Sequence, residues 1–459
     1  MTLVEKLALF VQQASFDNLS EAARIQAKIR ILDALGCAFG ALDGEPVRII
    51  RQQIEDFDSA GRCTLIGGGR AAPDRAAFYN SALVRYLDYN DSYLAKGETC
   101  HPSDNLGAVL AAAEYAGRSG RDLLTALAVA YQVQCRLSDV APVRARGFDH
   151  TTQGAYAVAA GVSKALGLDA SHTANAVTIA GTAYNALRVT RTGALSHWKG
   201  LAYPNTAFGA THAAFLAMRG ITGPLEVFEG NKGFMETIAG QFTLDWEKED
   251  LERITHTIVK RYNAEVHSQA TLEGILELQA EHPFRAGDVE SIDIETFDVA
   301  YHIIGGGEEG DKRVVRTKEE ADHSLPYMVA VAILDGQVMP EQYLPERIRR
   351  ADVQALLQKV TIRPSDDLSQ RFPQQMPCRI RVTLSDGRQL FKEKTDYEGF
   401  VTRPMSWSTV REKFDRLSRA HLDDHLRDEI AAAVASLETI QVSDLTHLLS
   451  RRSRSTGIV

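Results

Sequence analysis

The residues best suited to chemistry fall in three short polar runs, His101-Pro-Ser-Asp-Asn105, Ala194-Leu-Ser-His-Trp-Lys-Gly-Leu-Ala-Tyr-Pro-Asn205 and Ala264-Glu-Val-His-Ser-Gln269. Each interrupts alanine-rich sequence of helical character. Imidazole titrates near neutrality and needs a partner to fix its tautomer, so His101 and His267 are candidates for proton transfer. Asp88, in Asp88-Tyr-Asn-Asp-Ser92, is a candidate orienter of His101 or a substrate contact. The second run crowds His197, Trp198, Lys199 and Tyr203 together without helix periodicity, which predicts a loop loaded with titratable groups. A partly buried Lys199 would pair with a substrate carboxylate, and Arg188 and Arg191 could add bidentate carboxylate contacts, with His197 beside them. The chemistry these types support together is acid/base work on a small anionic molecule.

Each residue also has a plainer role. Ser103 or Asp104 suits capping of a helix starting at Leu106, Trp198 suits a core, and a lone lysine is usually solvated. His267 could be a satisfied interior histidine, and in Asp322-His-Ser-Leu-Pro-Tyr327 both His323 and Tyr327 could simply pack. Gly67-Gly-Gly69 and Gly305-Gly-Gly307 lack the lysine-serine ending of a phosphate loop, and neither fits a strand followed by GxGxxG. HExxH, paired-cysteine and EF-hand patterns are missing from the sequence, so no metal site is predicted.

The elements that must position these residues read as two textures. From Leu3 to about Glu281 the pattern is helical, with Ser20 to Gly36, Leu106 to Gly117, Arg121 to Val140 and Tyr156 to Gly167 as examples. After about Arg285, Val289 to Asp298 alternates as a half-buried strand, Val360 to Arg363 is a second strand, and Arg379 to Glu393 reads as a hairpin turning at Asp386-Gly387. Helices near Tyr327 to Leu334 and Ala351 to Lys359 would cover that sheet. Helical periodicity resumes from Ser406. The expected fold class is mainly α: a large all-helical domain over 1–267, rejoined by 404–459, with an inserted smaller α+β lid domain over 268–403. The Arg451-Arg452-Ser-Arg454 tail reads as a frayed, solvated terminus.

At 459 residues the chain is long enough for two or three domains, and its 44% hydrophobic and 24% charged shares are those of a soluble globular protein. A net charge of -9 argues against nucleic acid as the main partner. The run of apolar residues needed to span a bilayer is not found, so no membrane association is expected. Five scattered cysteines and an opening Met-Thr-Leu-Val-Glu-Lys without the order of a signal peptide predict reduced thiols in a cytoplasm.

Beyond these patterns, the chain resembles the MmgE/PrpD family, which includes 2-methylcitrate dehydratases, cis-aconitate decarboxylases and an iminodisuccinate epimerase. The resemblance is carried by Asp88-Tyr-Asn-Asp-Ser92, His101-Pro-Ser-Asp-Asn105, Asn185-Ala-Leu-Arg-Val-Thr-Arg-Thr-Gly193, Ser196-His-Trp-Lys-Gly200, Phe228-Glu-Gly-Asn-Lys-Gly-Phe-Met235 and Ala264-Glu-Val-His-Ser-Gln269. It implies a helical domain with a smaller α+β lid, a homodimer, and, for the dehydratases, no cofactor. It also implies a pocket including Asp88, Ser92, His101, Lys199, His267 and Tyr327. Ser92 departs from the threonine common at its position, keeping the hydroxyl and dropping a methyl.

Within the family, the His101 and His267 motifs are most similar to those of the dehydratases. The resemblance therefore implies loss of water from 2-methylcitrate, with citrate as a secondary substrate. His101 and His267 would transfer protons in an unassigned order, Tyr327 is a possible donor, and Lys199 would hold a carboxylate. The alternatives are decarboxylation of cis-aconitate, epimerisation of an imino diacid, and a non-catalytic tricarboxylate-binding protein.

Overall fold

The alanine-rich runs form helices whose ends carry the side chains that close them. A computed structural model describes residues 1–57 and 61–453. Thr2 accepts the Glu5 N–H at 3.4 Å while its own N–H donates to the Glu5 carboxylate at 2.7 Å, starting the helix Leu3–Gln13. Ser119 and Asp122 make the same reciprocal pair ahead of Gly120–Val140. Gly167, at φ 75°, ends Thr151–Leu166 in the left-handed conformation that glycine adopts without a Cβ penalty. The fold is mainly α. Among the described residues no helix is long and apolar enough to cross a membrane.

Internal contacts divide the chain into two compact units, one of Met1–Thr190, Gly200–Thr257 and Ser406–Val459, the other of Arg191–Lys199 and Ile258–Met405. In the first unit, Gly120–Val140 packs on Thr151–Leu166, Pro73–Tyr86 on Leu106–Tyr115, and Glu21–Gly40 on Trp407–Ser418 of the C-terminal segment. Small residues let these helices approach closely: a Cβ built on Gly161 would lie 2.8 Å from the Ala130 Cβ. Gly120 is tighter still, its built Cβ 1.8 Å from the Leu437 carbonyl oxygen. Gly120→Ala is expected to cost about 1–3 kcal/mol through this overpacking. A urea unfolding midpoint equal to wild type would refute it.

Two short antiparallel ribbons interrupt this unit, Cys63–Thr64 with Arg70–Ala71 and Tyr93–Ala95 with Glu98–Cys100. The second leads directly into His101. The C-terminal tail is tied down through Ser453, because Arg451 pairs with Glu429 at 2.9 Å and the Ser453 N–H donates to the His421 carbonyl at 3.0 Å. The expected fraying is thus not seen through Ser453, and Arg454 lies outside the described residues.

The second unit is built on a four-stranded mixed sheet ordered Val360–Pro364, Val289–Thr296, Cys378–Leu384, Gln389–Lys394. The first pair is parallel and the other two antiparallel. Alternation buries Val289, Ile292, Ile294 and Thr296, and the hairpin turns at Gly387 with φ 86°. Gln269–Glu281 packs on the hairpin strands and on Leu325–Asp335, which also meets Val360–Pro364. All five cysteines are buried free thiols.

The loop expected over Ala194–Asn205 is corrected: a helix begins at Trp198 and runs to Met218 with Pro204 inside it. Nearly every residue from Leu201 to Ala210 is buried, and a helix buried all round shows no apolar stripe. Its periodicity is therefore absent although the helix is present.

Candidate active site

In the first unit, the chemistry gathers where Pro73–Tyr86 ends and the ribbon before His101 closes. Asp88 takes a left-handed φ of 55°, a strained conformation for a residue other than glycine. Arg85, from the last turn of the preceding helix, pairs with it at 2.5 Å. His101 Nδ1 lies 2.9 Å from the Asp91 carbonyl oxygen and 3.0 Å from the Ser92 hydroxyl. A carbonyl only accepts, so Nδ1 carries the proton and Nε2 is the basic nitrogen of the neutral ring. Arg85 thus engages Asp88, the candidate orienter or substrate contact, while the Asp91 carbonyl and the Ser92 hydroxyl lie at His101 Nδ1.

Asp91 is itself fixed, accepting from the Ser103 N–H at 3.0 Å and from the Tyr131 hydroxyl at 2.7 Å. Burial pushes its carboxyl above the ordinary range against these hydrogen bonds. Asn90 donates to Ser103 and to Asp104 at 2.8 Å each, so those two side chains serve the site and not the helix cap that sequence suggested. His150, which sequence reading passed over, presents its ring edge-on to His101 with centroids 5.4 Å apart. It is placed by Asp149, 3.1 Å from its Nδ1, and stacks on Tyr203. Tyr203 donates to Asn105 and Gln134. Arg188 sits on the same side, 3.9 Å from Asp149.

In the second unit, two lysines share one carboxylate. Lys199 donates to Asp322 at 2.7 Å and lies 2.9 Å from His323 Nδ1, while Lys318 holds the other Asp322 oxygen at 2.6 Å. Burial alone would raise the Asp322 carboxyl, but Lys199 and Lys318 outweigh it and hold it far below the carboxylate range. A metal ion at Asp322 and His323 would have to displace these ammonium groups. The Glu265 N–H donates to the Asp322 carbonyl at 3.1 Å, joining this cluster to His267.

His267 Nδ1 is 2.7 Å from the Glu265 carboxylate, and its ring stands against the stacked pair Phe297 and Phe372. Its Nε2 has no hydrogen-bond partner among the described residues. Burial would raise the Glu265 carboxyl, but the charges and hydrogen bond of His267, with His323 and Lys260, bring it down to about 2. A depressed carboxyl stabilises the fold above its unfolded pKa, and that stability is lost as pH falls toward the folded value. Glu265→Gln should therefore cost on the order of 3 kcal/mol at neutral pH. The gap from wild type should shrink as pH falls from about 5 toward 3. Urea unfolding across that range checks it, and a gap that widens on acidification would refute the assignment.

The remaining predicted residues lie as follows. Arg191 is buried and donates to the Lys199 carbonyl at 2.9 Å, so it supports the start of the helix and shows no free guanidinium fork. His197 is exposed. Tyr327, fully buried, gives its hydroxyl proton to the Gln342 carbonyl in a very short hydrogen bond. The structure thus gathers Asp88, Ser92 and His101 in one unit, and Lys199 with His267 in the other. Sequence reasoning missed Asp91, His150, Glu265 and Asp322 as partners. Glu265 and Asp322 could have been flagged as acids within two residues of a histidine.

Models of the MmgE/PrpD N-terminal domain and the MmgE/PrpD C-terminal domain match residues 5–247 and 262–439. The chain is 26% identical to the cis-aconitate decarboxylase of Mus musculus, over 98% of this chain and 93% of that protein. It is 27% identical to the probable 2-methylcitrate dehydratase of Saccharomyces cerevisiae, covering 94% and 87%. The 2-methylcitrate dehydratase of Escherichia coli is also 27% identical, covering 83% of each chain.

Proposed function

The chain belongs to the MmgE/PrpD family, and from that premise we propose that it removes water from 2-methylcitrate, with citrate as a second substrate, by acid/base elimination without a cofactor. The observation that carries the reading is the pair of buried histidines, each with Nδ1 set by an acceptor, Asp91 for His101 and Glu265 for His267. Both rings then use Nε2 for proton transfer. A C–H beside a carboxylate loses its proton to one imidazole, the electron pair forms the alkene, and the departing hydroxide takes a proton from an acid and leaves as water. The order of the two histidines is left open.

Lys199 supplies positive charge toward a substrate carboxylate, opposing the charge that resists loss of the C–H proton. Arg191 and Asp322 hold that lysine in place. Tyr327, its hydroxyl already donated to Gln342, serves packing in this scheme. Decarboxylation of cis-aconitate is the second reading, favoured by the mouse relative with that name. A homodimer belongs to the same proposal, and size-exclusion chromatography with light scattering tests it. The dehydration itself is tested by growth of unsaturated-carboxylate absorbance when 2-methylcitrate meets chelator-treated protein with nothing else added. A flat trace with 2-methylcitrate and citrate alike would overturn the reading.

A further inference from the structure

The helix Trp407–Ser418, in the C-terminal segment, turns Val410, Phe414 and Leu417 inward, yet Lys413 occupies the same buried face. An ammonium is costly to bury unless it is paired and hydrogen-bonded. Lys413 Nζ meets Asp33 of the helix Glu21–Gly40 at 2.7 Å, donates to the Tyr89 carbonyl at 2.8 Å and lies 3.7 Å from the Tyr89 ring centroid. Charge balance accounts for the bond to Asp33. It does not account for the bond to Tyr89, which falls between the left-handed Asp88 and Asn90-Asp91, where Asn90 holds Ser103 and Asp104 and the Asp91 carbonyl meets His101 Nδ1.

We propose that Lys413 is a positioning residue for the His101 cluster: from the C-terminal segment it holds the Tyr89 carbonyl and so fixes the turn that presents Asp88 and aims the Asp91 carbonyl at His101 Nδ1. The turn is gripped from several directions, by Arg85 at Asp88, Lys413 at Tyr89, and Tyr131 and Ser103 at Asp91. Lys413 couples residues more than three hundred positions away to this turn. The proposal rests on the reading of His101 as a proton-transfer group.

Lys413→Met alone would leave Asp33 buried and unpaired, so the Asp33→Asn/Lys413→Met double variant, which removes both charges, carries the test. In 2-methylcitrate dehydration the double variant should fold and lose roughly 10- to 100-fold in kcat with KM within about threefold of wild type, as expected for misplacement of a reacting group. Lys413→Arg, which keeps the cation and its donors, should recover most of that loss. Spectra of 15N-histidine-labelled protein, with His101 assigned by His101→Gln, should show the Nδ1–H tautomer in wild type and a tautomer mixture in the double variant. A double variant with wild-type kcat and an unchanged His101 tautomer overturns the proposal. If wild-type protein turns over none of the acids, the functional reading fails, while the imidazole spectra still decide whether Lys413 positions His101.

Discussion

Replacing His101 by alanine is expected to lower kcat for 2-methylcitrate dehydration by about 10²- to 10⁴-fold, the usual worth of a positioned acid or base. The loss should fall on kcat, because the imidazole acts on a proton in flight and adds little to ground-state binding. The fold should survive. His101 sits in a ribbon and a 3-10 turn whose own hydrogen bonds, from Ser103 to Asp91 and from Asn90 to Ser103 and Asp104, do not pass through its ring. Circular dichroism and thermal melting separate the two effects. Near-wild-type turnover with unchanged melting would remove His101 from the mechanism, and a collapsed fold would assign it a structural role.

The second large effect is on stability. Asp322 is fully buried with Lys199 on one oxygen and Lys318 on the other, and Lys199 is almost as deeply buried. Removing one member of such a group leaves uncompensated charge in a poorly solvated place, so Asp322→Asn should cost about 3–5 kcal/mol. Asp386 provides the contrast, since its pair with Arg388 lies in solvent and its removal should barely move the unfolding midpoint. Because the Asp322 carboxyl is held below its ordinary range, its contribution is present above the unfolded pKa and persists until pH falls through the depressed folded value. Urea denaturation of both variants at neutral pH decides the matter, and equal, small losses would show that the Lys199 cluster is well solvated.

Much of the fold was legible because its signals are local. Alternation marked Val289–Thr296, Asp386-Gly387 marked the hairpin turn, and alanine-rich periodicity with glycine near the ends marked the long helices. Trp198–Met218 escaped because its central stretch Leu201–Ala210 is buried nearly all round and has no apolar stripe to read. The strand expected to reach Asp298 stops at Thr296, where Phe297 becomes the cap of a short helix. Such boundaries depend on sheet partners, and no strand pairs with that end of the segment among the described residues.

The candidate site was legible as a set of residue types and obscure as a set of contacts. His101, Lys199 and His267 announce themselves by chemistry. Their partners are set by folding across long separations: Lys199 finds Asp322, and Tyr131 finds Asp91. Residue type makes Asp88 a candidate orienter of His101 or substrate contact, but the Asp91 carbonyl at His101 Nδ1 is a backbone group that no residue type reveals. Tyr327, a possible donor by residue type, gives its hydroxyl proton to the Gln342 carbonyl, a partner just as hidden from sequence.

Mass-resolved product analysis decides whether the protein's own acid/base groups carry out dehydration. Chelator-treated protein is incubated separately with 2-methylcitrate, citrate and cis-aconitate, with His101→Ala alongside. Loss of one water from 2-methylcitrate is expected, with no carbon dioxide from cis-aconitate and near-absent product in the variant. Release of carbon dioxide from cis-aconitate, with 2-methylcitrate untouched, would contradict it.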